Sequence, residues 1–272
     1  MEDAPNTLPL WICNIEDVSP FETHHFHQTV SENEFKRAHR MHTPELQKRV
    51  MLTRFLIRKA LSAYRPDVLP QSWQFEAHAH GKPYTSNPLS TPLFFNISHS
   101  TSVITLAFAP FPLIGLDVEH VHIKRNHRLM DIAEHSFSEV EVDELKALPM
   151  EEQRNHFYRL WTLKEAFIKA SGAGLSMGLK SFGFTDIKLK DGSVTNLQLA
   201  GKAKNNHGFF SQTQWQTHML ALCIQPTLKN DLSLPSIAPL HITLKPKEHN
   251  IVLESTPIEA PGKFEWASTS SK

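Results

Sequence analysis

The run FYRLWTLKEAFIKASGAGLS, from Phe157 to Ser176, leaves little freedom in what the chain around it can be. Leu160, Leu163, Phe167 and Ala170 recur at three- and four-residue intervals, the period of a helix with one buried face. Trp161, Glu165 and Lys169 recur every fourth residue and stack on the adjoining face. The same pattern begins near Glu152, and Gly172, Gly174 and Gly178 end it. Such a helix needs an apolar surface on one side and, on the other, a setting for a carboxylate and an ammonium one turn apart. An isolated Glu-x-x-x-Lys is ordinarily a solvated surface pair worth ~0.3–0.5 kcal/mol. The rest of the sequence changes that reading.

Upstream, LIGLDVEH (Leu113 to His120) alternates strictly. Ile114, Leu116 and Val118 take one face of a strand, while Gly115, Asp117 and Glu119 take the other. The period of two sets the carboxylates on one face about 7 Å apart. Like charges so placed repel unless a cation lies between them. A half-exposed strand would show the same alternation; Gly115 adds that something approaches this face closely. Two carboxylates on a strand and a third on a helix beside a lysine suit magnesium, which takes oxygen ligands and is often completed by substrate phosphates. His78 with His80, and His120 with His122, are bare His-x-His pairs without cysteine support and read as surface histidines.

The elements mix without a β-α-β rhythm, which indicates an α+β fold. Strands are expected over Leu8–Ile15, Trp73–Glu76, Leu93–Ile97, Ser102–Phe108, Leu113–Glu119, Phe182–Ile187, Val194–Leu199 and Trp215–Gln225. Helices are expected over Glu32–Tyr64, Ser138–Leu148 and Glu152–Ser171. Ser138-Glu-Val-Glu141 has the form of a capping box, which explains Glu141 without giving it a catalytic role. From Pro226 onward the chain is rich in Pro, Ser, Thr and Lys and has no periodic apolar face. This end reads as a disordered extension, so the expected division is 1–112, 113–226 and 227–272.

Lys plus Arg number 28, as do Asp plus Glu, so net charge offers no reason to expect nucleic-acid or membrane binding. A phosphate-bearing ligand would need a local cluster of cations. The N-terminus MEDAPNTLPL is acidic where a signal peptide is basic. The longest apolar stretch, Val103 to Leu116, is broken by Pro110 and Pro112. Cys13 and Cys223 sit in apolar strands and read as buried, reduced thiols. Together these point to a cytoplasmic protein.

Four motifs then occur in order: G-K-P (81–83), N-I-S-H-S (96–100), G-L-D-V-E (115–119) and W-T-L-K-E-A-F-I-K-A-S-G-A-G-L (161–175). In this order they resemble the 4'-phosphopantetheinyl transferases of the surfactin-synthetase type, over roughly Leu8 to Gln225. The resemblance implies two similar α+β halves related by a pseudo-twofold axis, each a helix on a small antiparallel sheet, acting as a monomer with coenzyme A between them. It implies transfer of phosphopantetheine from coenzyme A to a serine of an apo carrier protein of fatty-acid, polyketide or peptide synthesis. Asp117, Glu119 and Glu165 would hold magnesium. Lys169 would meet the diphosphate, and Ser98 and His99 other coenzyme A phosphates. Gly81, Lys82 and Pro83 would line the adenine side, and Arg37 and Arg49 would hold the 3'-phosphate. Residues 172–199 would meet the carrier protein. The proton of the carrier serine would go to Glu165 or His99. Another magnesium phosphotransferase and a carrier-binding homologue without chemistry remain the alternatives; no P-loop, kinase motif or dinucleotide fingerprint is present.

Overall fold

The structure, a computed structural model, describes residues 7–18, 26, 28–110, 112–121, 128–191, 193–203, 208–225, 236–247, 250–258 and 267–269. The first elements are β1 (Thr7–Asn14), α1 (Glu32–His39), α2 (Pro44–Tyr64), β2 (Phe75–Ala77), β3 (Pro83–Thr85), β4 (Phe94–His99) and β5 (Val103–Ala109). After them come β6 (Ile114–His120), α3 (Leu129–Ser136), α4 (Glu139–Ala147), α5 (Met150–Ser171), β7 (Phe182–Lys190), β8 (Ser193–Gly201), β9 (Phe209–Trp215) and β10 (His218–Ile224). The chain closes with β11 (Ser236–Lys247), β12 (Asn250–Pro257) and β13 (Ala267–Ser268).

Strand alternation builds the layers. In β1 and β5, Leu8, Leu10, Ile12, Val103, Ala107 and Ala109 face one way, and they pack on Ile114, Leu116 and Val118 of β6 and Leu220, Leu222 and Ile224 of β10. Two sheets, β12-β11-β1-β5-β4 and β13-β9-β10-β6, therefore lie face to face. The opposite face of β5, with Ile104, Leu106 and Phe108, meets Leu52, Phe55 and Leu56 of α2. Met219, Ala221 and Cys223 on the outer face of β10 meet the apolar side of α5. The order is helix, sheet, sheet, helix, an α+β fold of two helix-on-sheet parts as the sequence implied. Burial on both faces explains why β5 and β10 are apolar except at Thr105 and His218.

Most expected elements form, with differences that have local causes. The helical pattern from Glu32 to Tyr64 is two helices. Ser31 and Glu34 make a capping box for α1, and Thr43 caps α2, with Pro44 at its first turn. The expected strand from Trp215 to Gln225 is the end of β9 and all of β10, separated by a turn in which Gln216 takes a φ of 50°. α3 was not expected. Among the described residues no helix is long and apolar enough to cross a membrane.

The expectation of a disordered end from residue 227 needs correcting. β11 pairs in parallel with β1, from Thr7 with Ser236 to Ile12 with His241, and antiparallel with β12. Ile242 and Leu244 are fully buried in the α2-facing core. Near the end of the chain, β13 joins the free edge of β9, and Thr269 accepts from the Gly208 amide.

Within α5, Lys164 is buried between the rings of Phe137 and Phe182. Its ammonium, fully buried, donates to Glu141 Oε2 at 2.6 Å and to the Phe182 carbonyl at 2.6 Å. Glu141 also accepts from the amide and hydroxyl of Ser138 and, through Oε1, from the Phe184 amide. One carboxylate thus caps α4, anchors β7 and orients α5, and the capping-box reading of Glu141 holds.

Two measurements test these packings. A chain ending at Gln225 loses Ile242 and Leu244, each worth ~1.5–3 kcal/mol when buried, and bares the edge of β1. It should unfold at clearly lower urea than the full chain; an equal midpoint would show that β11 adds nothing. Glu141→Ala should cost ~3–5 kcal/mol because it strands the Lys164 charge, whereas Glu141→Leu combined with Lys164→Met should recover much of that loss. If the double variant is no more stable than the single one, charge stranding is not the cause.

Candidate active site

β6 reaches α5 without a side chain between them. A Cβ built on Gly115 would lie 1.9 Å from the Ala166 carbonyl oxygen and 2.3 Å from the Ala170 nitrogen, so only glycine permits the contact. The close approach expected at Gly115 is thus made by the backbone of α5. It brings Asp117 and Glu119 of the same strand face onto Glu165 and Lys169 of the helix.

The four side chains form the floor of a cleft of about 820 Å³, within the usual range of small-molecule sites. Asp117 is buried. Its Oδ1 accepts from Lys169 at 2.6 Å and from the Ser98 hydroxyl at 2.9 Å; its Oδ2 is buried without a hydrogen-bond partner. Burial, followed by the neighbouring Asp117, pushes the Glu119 carboxyl up to about 7, against the pull of Lys169 and a hydrogen bond from Trp161. Glu165 is raised for the same first two reasons. One lysine therefore faces three carboxylates, two of which hold protons more tightly than usual.

Among the described residues no three His, Cys, Asp or Glu side chains stand close enough together to hold a metal ion as they are. Lys169 draws Asp117 toward itself instead. The donor chemistry still fits magnesium: all three groups offer oxygen, one buried oxygen lacks a partner, and the deficit is of positive charge.

Ser98 and His99 end β4, where that strand runs beside β6. Here side chains replace a strand ladder. Asn96 Oδ1 accepts from the Leu116 amide at 2.8 Å, and Ser98 Oγ accepts from the Val118 amide at 3.3 Å and from Lys169 at 3.1 Å. The Ser98 hydroxyl, expected on a coenzyme A phosphate, is occupied in orienting Asp117. His99 lines the cleft; burial, and then Arg49, lower its proton affinity.

The opposite wall comes from α1, α2 and the β2–β3 hairpin. Arg37, Thr53 and Arg54 line the cleft and also an adjoining recess of about 380 Å³, which contains Arg49 and His99 as well. Arg37 thus stands in the cleft, and Arg49 one step further out. Arg54 was not foreseen, since it is one of several cations on an amphipathic helix. Burial, Arg37 and Arg58 lower its pKa, with Glu34 opposing. Glu34 is already bonded by Arg58 at 2.8 Å and by the cap of α1, and lies 3.9 Å from Arg54. This wall therefore carries a surplus of positive charge.

Gly81 and Pro83 line the cleft beside Phe75 and Ala77. Lys82 does not turn its charge to the cleft. Its ammonium donates to the carbonyls of Ile114 at 2.9 Å, Ala170 at 3.3 Å and Pro112 at 3.4 Å, and burial pulls it down to about 8. The residue itself still borders, with Gly81 and Pro83, a recess that reaches Glu165 and Lys169. His78 stacks on Tyr84 at 4.4 Å, and His120 packs edge-on against His218 at 4.9 Å; His122 lies outside the described residues.

Comparison with known proteins meets this geometry. Residues 113–223 match the 4'-phosphopantetheinyl transferase superfamily, and residues 18–110 match the N-terminal region of a 4'-phosphopantetheinyl transferase. A 4'-phosphopantetheinyl transferase of Bacillus subtilis is 36% identical over 171 residues, covering 62% of this chain and 71% of that protein. Sfp of Bacillus subtilis strain 168 is 34% identical over 180 residues, 65% of this chain and 75% of Sfp. HetI of a Nostoc species is 33% identical over 149 residues, 54% and 62% of the respective chains. Both family matches end before β11, so the three last strands lie outside them. Because the matches run through every element that builds the cleft, and because two relatives are matched over more than two thirds of their length, this chain belongs to the 4'-phosphopantetheinyl transferase family as an enzyme of the Sfp type.

Proposed function

We propose that this enzyme moves the phosphopantetheine arm of coenzyme A onto a serine hydroxyl of an apo carrier protein, that the reaction depends on magnesium, and that adenosine 3',5'-bisphosphate is released. The observation that carries this reading is the pairing, across one cleft, of a carboxylate floor with an arginine wall. A diphosphate bearing a distant third phosphate spans such a pair. A carrier-binding homologue without chemistry fits less well, since binding alone would not need three crowded carboxylates.

Asp117, Glu119 and Glu165 are the residues that would hold the metal. Bound there, magnesium would neutralise the diphosphate and polarise the reacting phosphorus. Lys169, already at the floor, stands ready to meet the remaining charge of the diphosphate. A bond forms from the serine oxygen to the pantetheine-side phosphorus, and the bond from that phosphorus to the bridging oxygen breaks. The serine proton goes to Glu165. His99, whose proton affinity burial and Arg49 lower, is the second candidate. Gly81 and Pro83, beside Phe75 and Ala77, offer a surface for the base, and Arg37, Arg54 and Arg49 a site for the 3'-phosphate. For the carrier we retain residues 172–199, in which the β7–β8 hairpin leaves Leu189 51% exposed between Lys188 and Lys190.

The direct test is to incubate the protein with coenzyme A, magnesium and an apo carrier and to weigh the carrier, which should gain one phosphopantetheine. Chelation should stop the gain and magnesium should restore it. Asp117→Asn and Glu165→Gln should each lower turnover by a factor of at least ~100 while leaving the unfolding midpoint near that of the wild type. Wild-type turnover in either variant overturns the metal assignment.

A second measurement places the 3'-phosphate. Arg37→Ala and Arg54→Ala should weaken coenzyme A roughly ten- to a hundredfold, the worth of a lost charge-assisted contact, and barely change 3'-dephospho-coenzyme A. Arg49→Ala, further out, should act in the same direction. Lys169→Ala should impair both donors alike. Equal losses on both donors in the arginine variants would move the 3'-phosphate elsewhere.

A further inference from the structure

We infer that Lys82 is a positioning residue. Its ammonium fastens the base-side hairpin to the junction of β6 and α5, and so fixes the spacing of the carboxylates. The inference rests on the proposed role of Asp117, Glu119 and Glu165, and deepens it.

An ammonium has three N–H donors and no acceptor. At Lys82 they are matched by three carbonyls, those of Pro112, Ile114 and Ala170. The position of these carbonyls gives the contact its meaning. Ile114 and Ala170 flank the point where β6 and α5 meet through backbone at Gly115: Ile114 precedes Gly115, and the Ala170 nitrogen is one of the atoms a Cβ on Gly115 would strike. Ala170 is also in the last turn of α5 (Met150–Ser171), where carbonyls lack partners within the helix and a cation is favoured. Lys82 thus closes the open end of the helix and the start of the strand with one group.

The same hairpin is held a second time. His80 packs on Gly174, just past α5; a Cβ there would lie 2.9 Å from the His80 Cβ, and Gly174 has a φ of 59°. The hairpin carrying Gly81 and Pro83 therefore cannot shift without disturbing the end of α5. Lys169 adjoins Ala170 in sequence, Glu165 lies just over a turn before it, and Asp117 is three residues beyond Ile114. A misplacement of about 1 Å at reacting groups can cost two orders of magnitude in rate. Loosening this seam should therefore fall on turnover, while loss of a ligand contact would fall on affinity.

The test uses the full chain with Lys82→Met, which keeps the stem and removes the donors, and Lys82→Arg, which restores donors. kcat and KM are measured for coenzyme A and for its 3'-dephospho form. Hydrogen exchange is followed separately, without donor or metal, over residues 114–120 and 165–174. In Lys82→Met, kcat should fall roughly ten- to a hundredfold on both donors. KM should change by less than ~3-fold, and exchange should quicken in both segments. Lys82→Arg should recover most of each. A KM raised tenfold with kcat intact would make Lys82 a ligand contact and overturn the proposal, as would unchanged exchange in both segments. If Lys82→Met does not fold, Lys82→Gln is read by the same criteria. Because the exchange readout needs no substrate, it still decides the role of Lys82 if the wild type proves unable to transfer phosphopantetheine.

Discussion

At Gly115 the backbone of β6 rests on the backbone of α5, and the cleft takes its dimensions from that contact. Side chains normally hold a helix off a strand, because interiors are close-packed and each Cβ needs room. With none present here, Asp117 and Glu119 meet a helix whose facing residues are Glu165 and Lys169. A Cβ at this position would have to displace the Ala166 carbonyl and the Ala170 nitrogen, both rigid parts of the helix ladder. The helix would move as a body and take two members of the floor with it. The buried pair of Lys164 and Glu141 acts on the same helix from its other side, resisting rotation about its axis. One contact sets distance and the other sets orientation.

The charges in the cleft make sense only as a set. Three carboxylates share one lysine, and the cost appears as raised proton affinity at Glu119 and Glu165, from burial first and then from Asp117. The facing wall has the opposite surplus, because the capping box of α1 and Arg58 have already engaged Glu34. A protein with no net charge thereby holds two strongly charged surfaces across a narrow space. Among the described residues, Lys169 offsets the floor only in part and Glu34 the wall only in part, so each keeps a surplus of its own sign.

How much of this was legible depended on whether the signal was local. The period of β6 gave the shared face of Asp117 and Glu119, and that of α5 gave the stacking of Glu165 and Lys169. The Ser138–Glu141 cap was readable because a cap is a contact over three residues. Pairing between distant strands leaves no such mark. β11 follows the segment PTLKNDLSLP, and its parallel partner β1 lies more than two hundred residues away in sequence. Leu240, Ile242 and Leu244 do alternate with His241, Thr243 and Lys245, a short strand signal closed in by Pro239 and Pro246. Arg54 was hidden for a different reason: among the many cations of α1 and α2, sequence alone does not tell which ones turn toward the cleft.

Lys82 and Ser98 show a further limit. Both lie in motifs associated with the cleft, and both were expected to face a ligand. The Lys82 ammonium turns to main-chain carbonyls, and the Ser98 hydroxyl bonds the Val118 amide as well as Asp117 and Lys169. β6 pairs with β10 along one edge only; along the other, Asn96 and Ser98 bond its amides, while Lys82 takes the carbonyl at its start. A strand at such a seam must have its backbone satisfied by side chains, since an unpaired buried amide or carbonyl is costly. A motif beside an active site can therefore owe its residues to the backbone beneath the ligand as much as to the ligand. In this chain the strand whose backbone needs those side chains is also the strand that carries Asp117 and Glu119, so satisfying it and positioning the carboxylates are the same act.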